Sequence, residues 1–174
     1  MTDCNMLLEG AQSGNAECFG QMYSMYQKEL YVYAYKFLGN REDAEDAVQQ
    51  ASIKVYTGIK NIRKPDAFKA YYFKALANTA RSMLARRSMH IVGDEDELEN
   101  SDSGLSTETD AINNAEINRA LSILSNDERE IVLLSVVGGF TSKEISQITT
   151  LTGGSVRSKL SRALSKMRAE LEKQ

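Results

Sequence analysis

Along residues 19–37 the apolar positions Phe19, Met22, Tyr23, Tyr26, Leu30, Tyr33, Ala34 and Phe37 recur every three or four places, the stripe of an amphipathic helix. Gly39 ends that pattern, and Asn40 stands where it can cap a second helix whose first turn carries Glu42 and Asp43 at the positive end of the helix dipole. Ala44, Val48, Ala51 and Val55 form the apolar stripe of that helix. The periodicity breaks over residues 58–64. Pro65 then suits the first turn of a third helix, with Phe68, Tyr72, Ala75, Leu76, Thr79 and Met83 facing inward. These three helices predict one N-terminal module.

A second set of helical signals begins with a helix over residues 115–124. Ser125-Asn126-Asp127-Glu128 follows as a capping box ahead of Ile131, Val132 and Leu134, and Gly138 and Gly139 close that helix. Thr141-Ser142-Lys143-Glu144 repeats the box and opens a short helix through Ile145 and Ile148, and Thr152 caps a longer one starting near Gly153. Short helix, short turn and long helix predict a helix-turn-helix, whose second helix lies in the major groove and reads base edges from its N-terminal residues. In that last helix Val156, Leu160, Ala163, Leu164, Met167 and Leu171 share one face, while Arg157, Ser158, Ser161, Arg162, Ser165 and Arg168 share the other. Arginine can pair bidentately with guanine or clamp a phosphate, and serine allows close approach to the backbone. Thr152, Ser155, Arg157, Ser158, Ser161, Arg162 and Ser165 are therefore the candidate duplex-binding set. A basic helix face alone is also what a solvated surface looks like; the turn and the caps before it favour DNA.

A chain of 174 residues, 42% of them hydrophobic, can build one ordinary domain or two small ones. One proline, no tryptophan and no alternating β-branched runs argue against a sandwich or barrel and predict an all-α fold. The first fifteen residues contain Asp3 and Glu9 and no continuous apolar stretch, so a cytoplasmic protein without membrane insertion is expected. Cys4 and Cys18 form no CxxC pair, which fits reduced thiols and gives no metal site.

The net charge of −3 conceals a strong segregation along the chain. Residues 54–87 hold nine bases and one acid; residues 91–118 hold nine acids and no base; residues 143–173 hold seven bases and three acids. Two basic modules, 1–90 and 115–174, thus flank an acidic, flexible linker at 91–114. In the N-terminal module Tyr71, Tyr72 and Phe73 are interleaved with Lys69, Lys74, Asn78, Arg81, Arg86 and Arg87. Such mixtures hold unpaired bases by stacking while cations track phosphates. Asn61, Arg63 and Lys64 lie in the loop leading into that helix. A purely structural role for the aromatic residues stays open, and Tyr72 can serve as both wall and packing. An enzyme is not expected: His90 is the only histidine and has no obvious nucleophile or metal partner, and the glycine pairs sit at helix boundaries rather than in a phosphate loop. No catalytic residue and no cofactor are assigned.

Residues 121–168, LSILSNDEREIVLLSVVGGFTSKEISQITTLTGGSVRSKLSRALSKMR, resemble the promoter-recognition module of bacterial sigma factors in Arg129 after an acidic turn, Glu144-Ile145, Val156 and the Arg162-Ala163 pair. LGNREDAEDAVQQASIKVY and AYYFKALANTARSMLARR resemble the same family's polymerase-binding and promoter-melting region. With no third domain between the two, the likeness is to the extracytoplasmic-function (ECF) group of the sigma-70 family. The resemblance implies a partner in core RNA polymerase, at a large-subunit coiled coil and flap, and a second in promoter DNA, with an anti-sigma factor by analogy. It assigns polymerase docking to Asp43, Glu45, Asp46, Val48, Gln49 and Gln50, although the residues alone equally allow the carboxylates to stabilise their own helix end. It assigns recognition of the melted −10 strand to the loop over 61–66 and to the third helix, and of the −35 element as duplex to the last helix. A helix-turn-helix repressor or activator is the alternative, and the aromatic, basic N-terminal half argues against it. The family commonly has tryptophan at Tyr72, glutamate at Gln50 and glycine at Thr150; a turn that required a positive φ at Thr150 would be strained.

Overall fold

Side-chain caps set six of the helix starts among the described residues. The computed structural model describes residues 3–90 and 108–173, with side chains over 3–89 and 115–173. Contacts divide the chain into two units, Met1–Val92 and Gly93–Gln174, and every regular element among the described residues is helical. None of these helices is long and apolar enough to cross a membrane.

The first unit consists of α1 (Cys4–Gln12), α2 (Ala16–Leu38), α3 (Arg41–Thr57), a 3₁₀ turn (Ile59–Asn61) and α4 (Ala67–His90). Asn15 caps α2 by accepting from the N–H groups of Glu17 and Cys18 at 3.0 and 3.3 Å. Gly39, at φ +88°, ends α2 in the left-handed conformation that glycine tolerates best, and Asn40 accepts from the Asp43 N–H at 2.9 Å to start α3. That tight corner folds α3 back onto α2. Ala44, Ala47 and Ala51 of α3 and Ala77 and Ala80 of α4 are all buried, and their small side chains admit the rings of Tyr33, Phe37, Phe68, Tyr72 and Phe73. The α4 stripe is wider than its periodicity predicts. Phe73, Ala77 and Ala80 join Phe68, Tyr72, Leu76 and Thr79 in the core, because α2 and α3 cover α4 from two sides. Helix α1 is absent from the periodic pattern: Leu7, Leu8 and Ala11 are its only buried side chains, too few to register as a period.

The second unit consists of α5 (Glu108–Ser122), α6 (Asn126–Val136), α7 (Ser142–Ile148) and α8 (Gly153–Leu171). Helix α5 starts at Glu108, ahead of the apolar signal at 115. Its first turns are mostly polar and lack a stripe, while Glu108 and Asp110 suit a helix start. The rest of the expected acidic linker, residues 91–107, lies outside the described residues. Both capping boxes form reciprocally. Glu128 N–H donates to Ser125 Oγ at 3.2 Å and Ser125 N–H to Glu128 Oε2 at 3.0 Å; at Thr141 and Glu144 the distances are 3.2 and 2.8 Å. Ile131, Leu134, Ile145, Val156 and Ala163 are fully buried between these helices. The turn before α8 is held by Thr149, whose Oγ1 accepts from the Leu151 N–H at 3.3 Å, and Thr152 caps α8 from the Ser155 N–H at 3.2 Å. No non-glycine residue described has a positive φ, so Thr150 fits this turn without backbone strain.

Candidate nucleic-acid interface

Helix α8 sorts its cations by chemistry. Lys159 reaches Asp127 at 3.5 Å and Lys166 reaches Glu128 at 2.7 Å, so both lysines turn toward the acidic first turn of α6. Arg157, Ser158, Ser161 and Arg162 instead line an open depression of about 630 Å³ on the outer face. Ser165 is exposed one turn further along, whereas Thr152 and the half-exposed Ser155 stand at the helix start and do not line that depression, so four of the seven predicted duplex-binding residues are brought together. Leu164 and Leu171, expected on the apolar face, remain 43% and 39% exposed. Arg129, singled out for its likeness to sigma factors, plays a structural part. Its guanidinium donates to the Leu121 and Leu124 carbonyls at 3.2 and 3.4 Å and closes the end of α5. Burial pushes its pKa down.

The Lys166 hydrogen bond, with the Ser125 N–H behind it, holds the Glu128 carboxyl below its ordinary 4.5. Between the two values the unfolded chain binds more protons than the folded one, so the stabilisation is complete above the ordinary value and lost as pH falls through the lowered one. In urea titrations of the full chain, Glu128→Gln should be less stable than wild type at about pH 7, and the difference should vanish in acid. A difference that persisted unchanged in acid would refute the coupling.

In the first unit the loop before α4 exposes Asn61, Arg63 and Lys64 while burying Ile59 and Ile62 as anchors. Tyr71, Lys74, Asn78 and Arg81 follow on one stripe of α4; Lys74 and Asn78 are exposed, and Tyr71 and Arg81 half-buried. Arg81 is hydrogen-bonded to Asn78, and the Tyr71 hydroxyl occupies the space that any side chain at Gly58 would need. Lys69 is set apart. Its ammonium lies 3.1 Å from the Glu29 carboxylate and 5.7 Å from the Tyr26 ring centre, so its charge is already matched within the module.

Tyr72 requires a correction. It is fully buried, with Phe68, Tyr23 and Phe19 at ring separations of 5.7, 5.9 and 6.5 Å. Its hydroxyl is hydrogen-bonded to Ser52, which itself donates to the Val48 carbonyl at 2.7 Å, so Tyr72 is the donor. Burial disfavours the phenolate and pushes its pKa up to about 12. Tyr72 presents no face on which a base could stack, and neither does the equally buried Phe73. Tertiary cover supplied by α2 decides this; the aromatic pattern of α4 alone does not contain it.

On α3, Glu45, Asp46 and Gln49 are exposed and Gln50 half-exposed, forming an outward acidic and amide face. Arg41 pairs with Glu45 at 2.8 Å, and Gln50 donates to Asp46 at 2.9 Å. Asp43 is committed elsewhere: it pairs with Arg87 of α4, which also donates to the Leu38 carbonyl at 3.0 Å, locking the start of α3 to two other helices. Val48 is only 7% exposed and, with Phe19, Tyr23, Gln27, Tyr31, Glu45, Gln49 and Ser52, lines a cleft of about 460 Å³ between α2 and α3. Among the described residues no cluster of His, Cys, Asp and Glu is arranged to hold a metal ion.

Two family models match this sequence, Sigma-70 region 2 over residues 22–89 and Sigma-70, region 4 over residues 114–167. The chain belongs to the sigma-70 family. Similar proteins place this sigma factor in the ECF group: it is 28% identical to the ECF RNA polymerase sigma-E factor of Escherichia coli K12, covering 94% of this chain and 91% of that one. It is 27% identical to the RNA polymerase sigma factor SigV of Bacillus subtilis, over 86% and 88% of the two chains. The same fold occurs in CnrH, solved in complex with the cytosolic domain of CnrY, at a TM-score of 0.74 and 22% identity over 98% of both chains. It also occurs in the sigma factor RpoE of Bartonella quintana, solved with the anti-sigma factor NepR, at a TM-score of 0.71 and 22% identity over 90% of this chain and 98% of that one. As an RNA polymerase sigma factor the protein acts in transcription initiation and is not an enzyme in its own right.

Proposed function

We propose that this sigma factor divides promoter recognition between its two units. Residues 115–174 read the −35 element as duplex through the outer face of α8. Residues 1–90 hold the melted −10 strand at Asn61, Arg63 and Lys64 and along the α4 stripe of Tyr71, Lys74, Asn78 and Arg81, with residues 91–107, the part of the expected linker that precedes α5, as tether. Glu45, Asp46, Gln49 and Gln50 face core RNA polymerase, where an acidic helix face suits a basic helical partner. Asp43, Val48, Lys69 and Tyr72 support these surfaces from within. The observation that carries the reading is the sorting on α8, where lysines pair with α6 while arginines and serines line an open face. An anti-sigma factor that occludes these surfaces is the further partner expected, in keeping with the complexes formed by RpoE and NepR. A regulator that binds duplex alone would have no use for the exposed loop or the α3 face.

The test adds the purified full chain to core polymerase and maps initiation on a supercoiled genomic library. Discrete promoter-specific starts that require the chain are expected, and the double variant Asp46→Ala/Gln49→Ala should weaken core binding about tenfold. Failure to bind core polymerase at any salt concentration would overturn the proposal.

A further inference from the structure

The side-chain amide of Gln12, the last residue of α1, uses both of its N–H bonds on the backbone beneath the exposed loop. Nε2 donates to the Ile59 carbonyl at 3.1 Å and to the Ile62 carbonyl at 2.7 Å, across 47 and 50 residues of sequence. The other backbone hydrogen bonds here are local ones: Asn61 N–H to Gly58 O at 2.9 Å, Ile62 N–H to Ile59 O at 3.2 Å, and Ala67 N–H to Lys64 O at 3.0 Å. They shape the turn without fixing it to the rest of the unit. Ile59 and Ile62 anchor it by burial, and Gln12 adds direction, since each carbonyl must point at one amide.

Gln12 is itself rigidly presented. A side chain at Gly10 would collide with the Cys18 sulfur, so α1 sits close against the start of α2. The corner between them is closed by the Asn15 N–H to Gly10 O bond at 2.9 Å and by Gly14 at φ +96°. From that corner to Asn61, Arg63 and Lys64 the path is one side chain and one turn.

We propose that Gln12 is a positioning residue for base selection: it holds the loop in the conformation in which Asn61, Arg63 and Lys64 meet the unpaired strand, without touching DNA itself. This rests on the reading of the loop given above. The chemistry explains the residue type. Two carbonyl acceptors need two donors on one short side chain; glutamate supplies none and adds repulsion, and methionine fills the volume with no donor at all.

The experiment uses full-length protein bound to core polymerase and a pool of forked duplexes whose single-stranded tail is randomised at six positions. Wild type should enrich particular bases in the tail. Gln12→Glu and Gln12→Met should flatten that preference about tenfold while core affinity stays near wild type and Tm falls only modestly, and amide exchange should quicken about tenfold, most of all over residues 59–66. Asn61→Ala serves as the loop control. Should Asn61→Ala abolish the preference while both Gln12 variants keep it, the role of Gln12 is wrong and the loop reading stands. Should Asn61→Ala and Arg63→Ala also keep it, the loop reading fails and the inference with it. Loss of preference only in step with core binding and Tm would make Gln12 an ordinary structural residue and overturn the proposal.

Discussion

Replacing Tyr72 with alanine is expected to destabilise the N-terminal unit by about 3–5 kcal/mol, the usual cost of deleting a buried aromatic side chain. The ring is fully enclosed, and it joins α4 to Phe19 and Tyr23 of α2 and, through its hydroxyl, to Ser52 of α3. Removing it leaves a cavity where three helices meet, and a loss of that size is a large fraction of the roughly 5–15 kcal/mol that holds a domain together. Tyr72→Phe keeps the ring and deletes only the donor to Ser52, so about 1 kcal/mol should be lost. Urea denaturation of the full chain, followed in the N-terminal unit by tyrosine fluorescence, separates the two variants. Permanganate reactivity of promoter thymines then distinguishes packing from direct contact with DNA. The stable phenylalanine variant should open promoters normally, because the position offers no exposed surface. A folded Tyr72→Ala protein with under about 1 kcal/mol of loss, or a stable Tyr72→Phe protein unable to open promoters, would contradict this assignment.

Where the chemistry is local, the sequence alone locates it well. Asn40, Ser125, Thr141 and Thr152 cap the helices expected of them, because a cap depends on three or four consecutive residues. The burial of Val156 and Ala163 and the open arginine-serine face of α8 follow from helical period for the same reason, whereas Leu164 and Leu171 stay exposed. What the sequence does not show depends on partners far along the chain. Tyr71 and Tyr72 are adjacent and chemically alike, yet α2 covers one and leaves the other half-exposed. Lys159 and Arg157 are interchangeable by charge, and only the packing of α6 against α8 diverts the lysine to Asp127. Asp43 reads as part of a docking face in sequence, but Arg87, 44 residues away, claims it in the fold. Gln12 leaves no signal, since neither of its acceptors is a side chain and both belong to a turn that periodicity does not mark.

That sorting of cations on α8 leads to the other large expected effect. Arg157→Ala should weaken binding to the upstream promoter duplex by about tenfold to a hundredfold, the worth of one bidentate arginine contact, while leaving affinity for core polymerase unchanged. Arg157 is exposed in the early part of α8, the part from which a recognition helix reads base edges. Its guanidinium extends over Gly153 and Gly154, passing 3.7 and 3.9 Å from where side chains on those glycines would begin. Two bare glycines beside Arg157 would leave DNA room to approach closely. Lys159→Ala provides the contrast, because it removes a cation of the same helix that is paired with Asp127 and turned from the open face. It should cost at most about 1 kcal/mol of stability and change the duplex affinity little. Measured as a function of salt, the arginine variant should also lose close to one unit of slope if its contact is to phosphate, and keep the slope while relaxing specificity if its contact is to a base. Equal weakening by Arg157→Ala and Lys159→Ala would mean that charge alone, rather than the geometry of the outer face, governs binding.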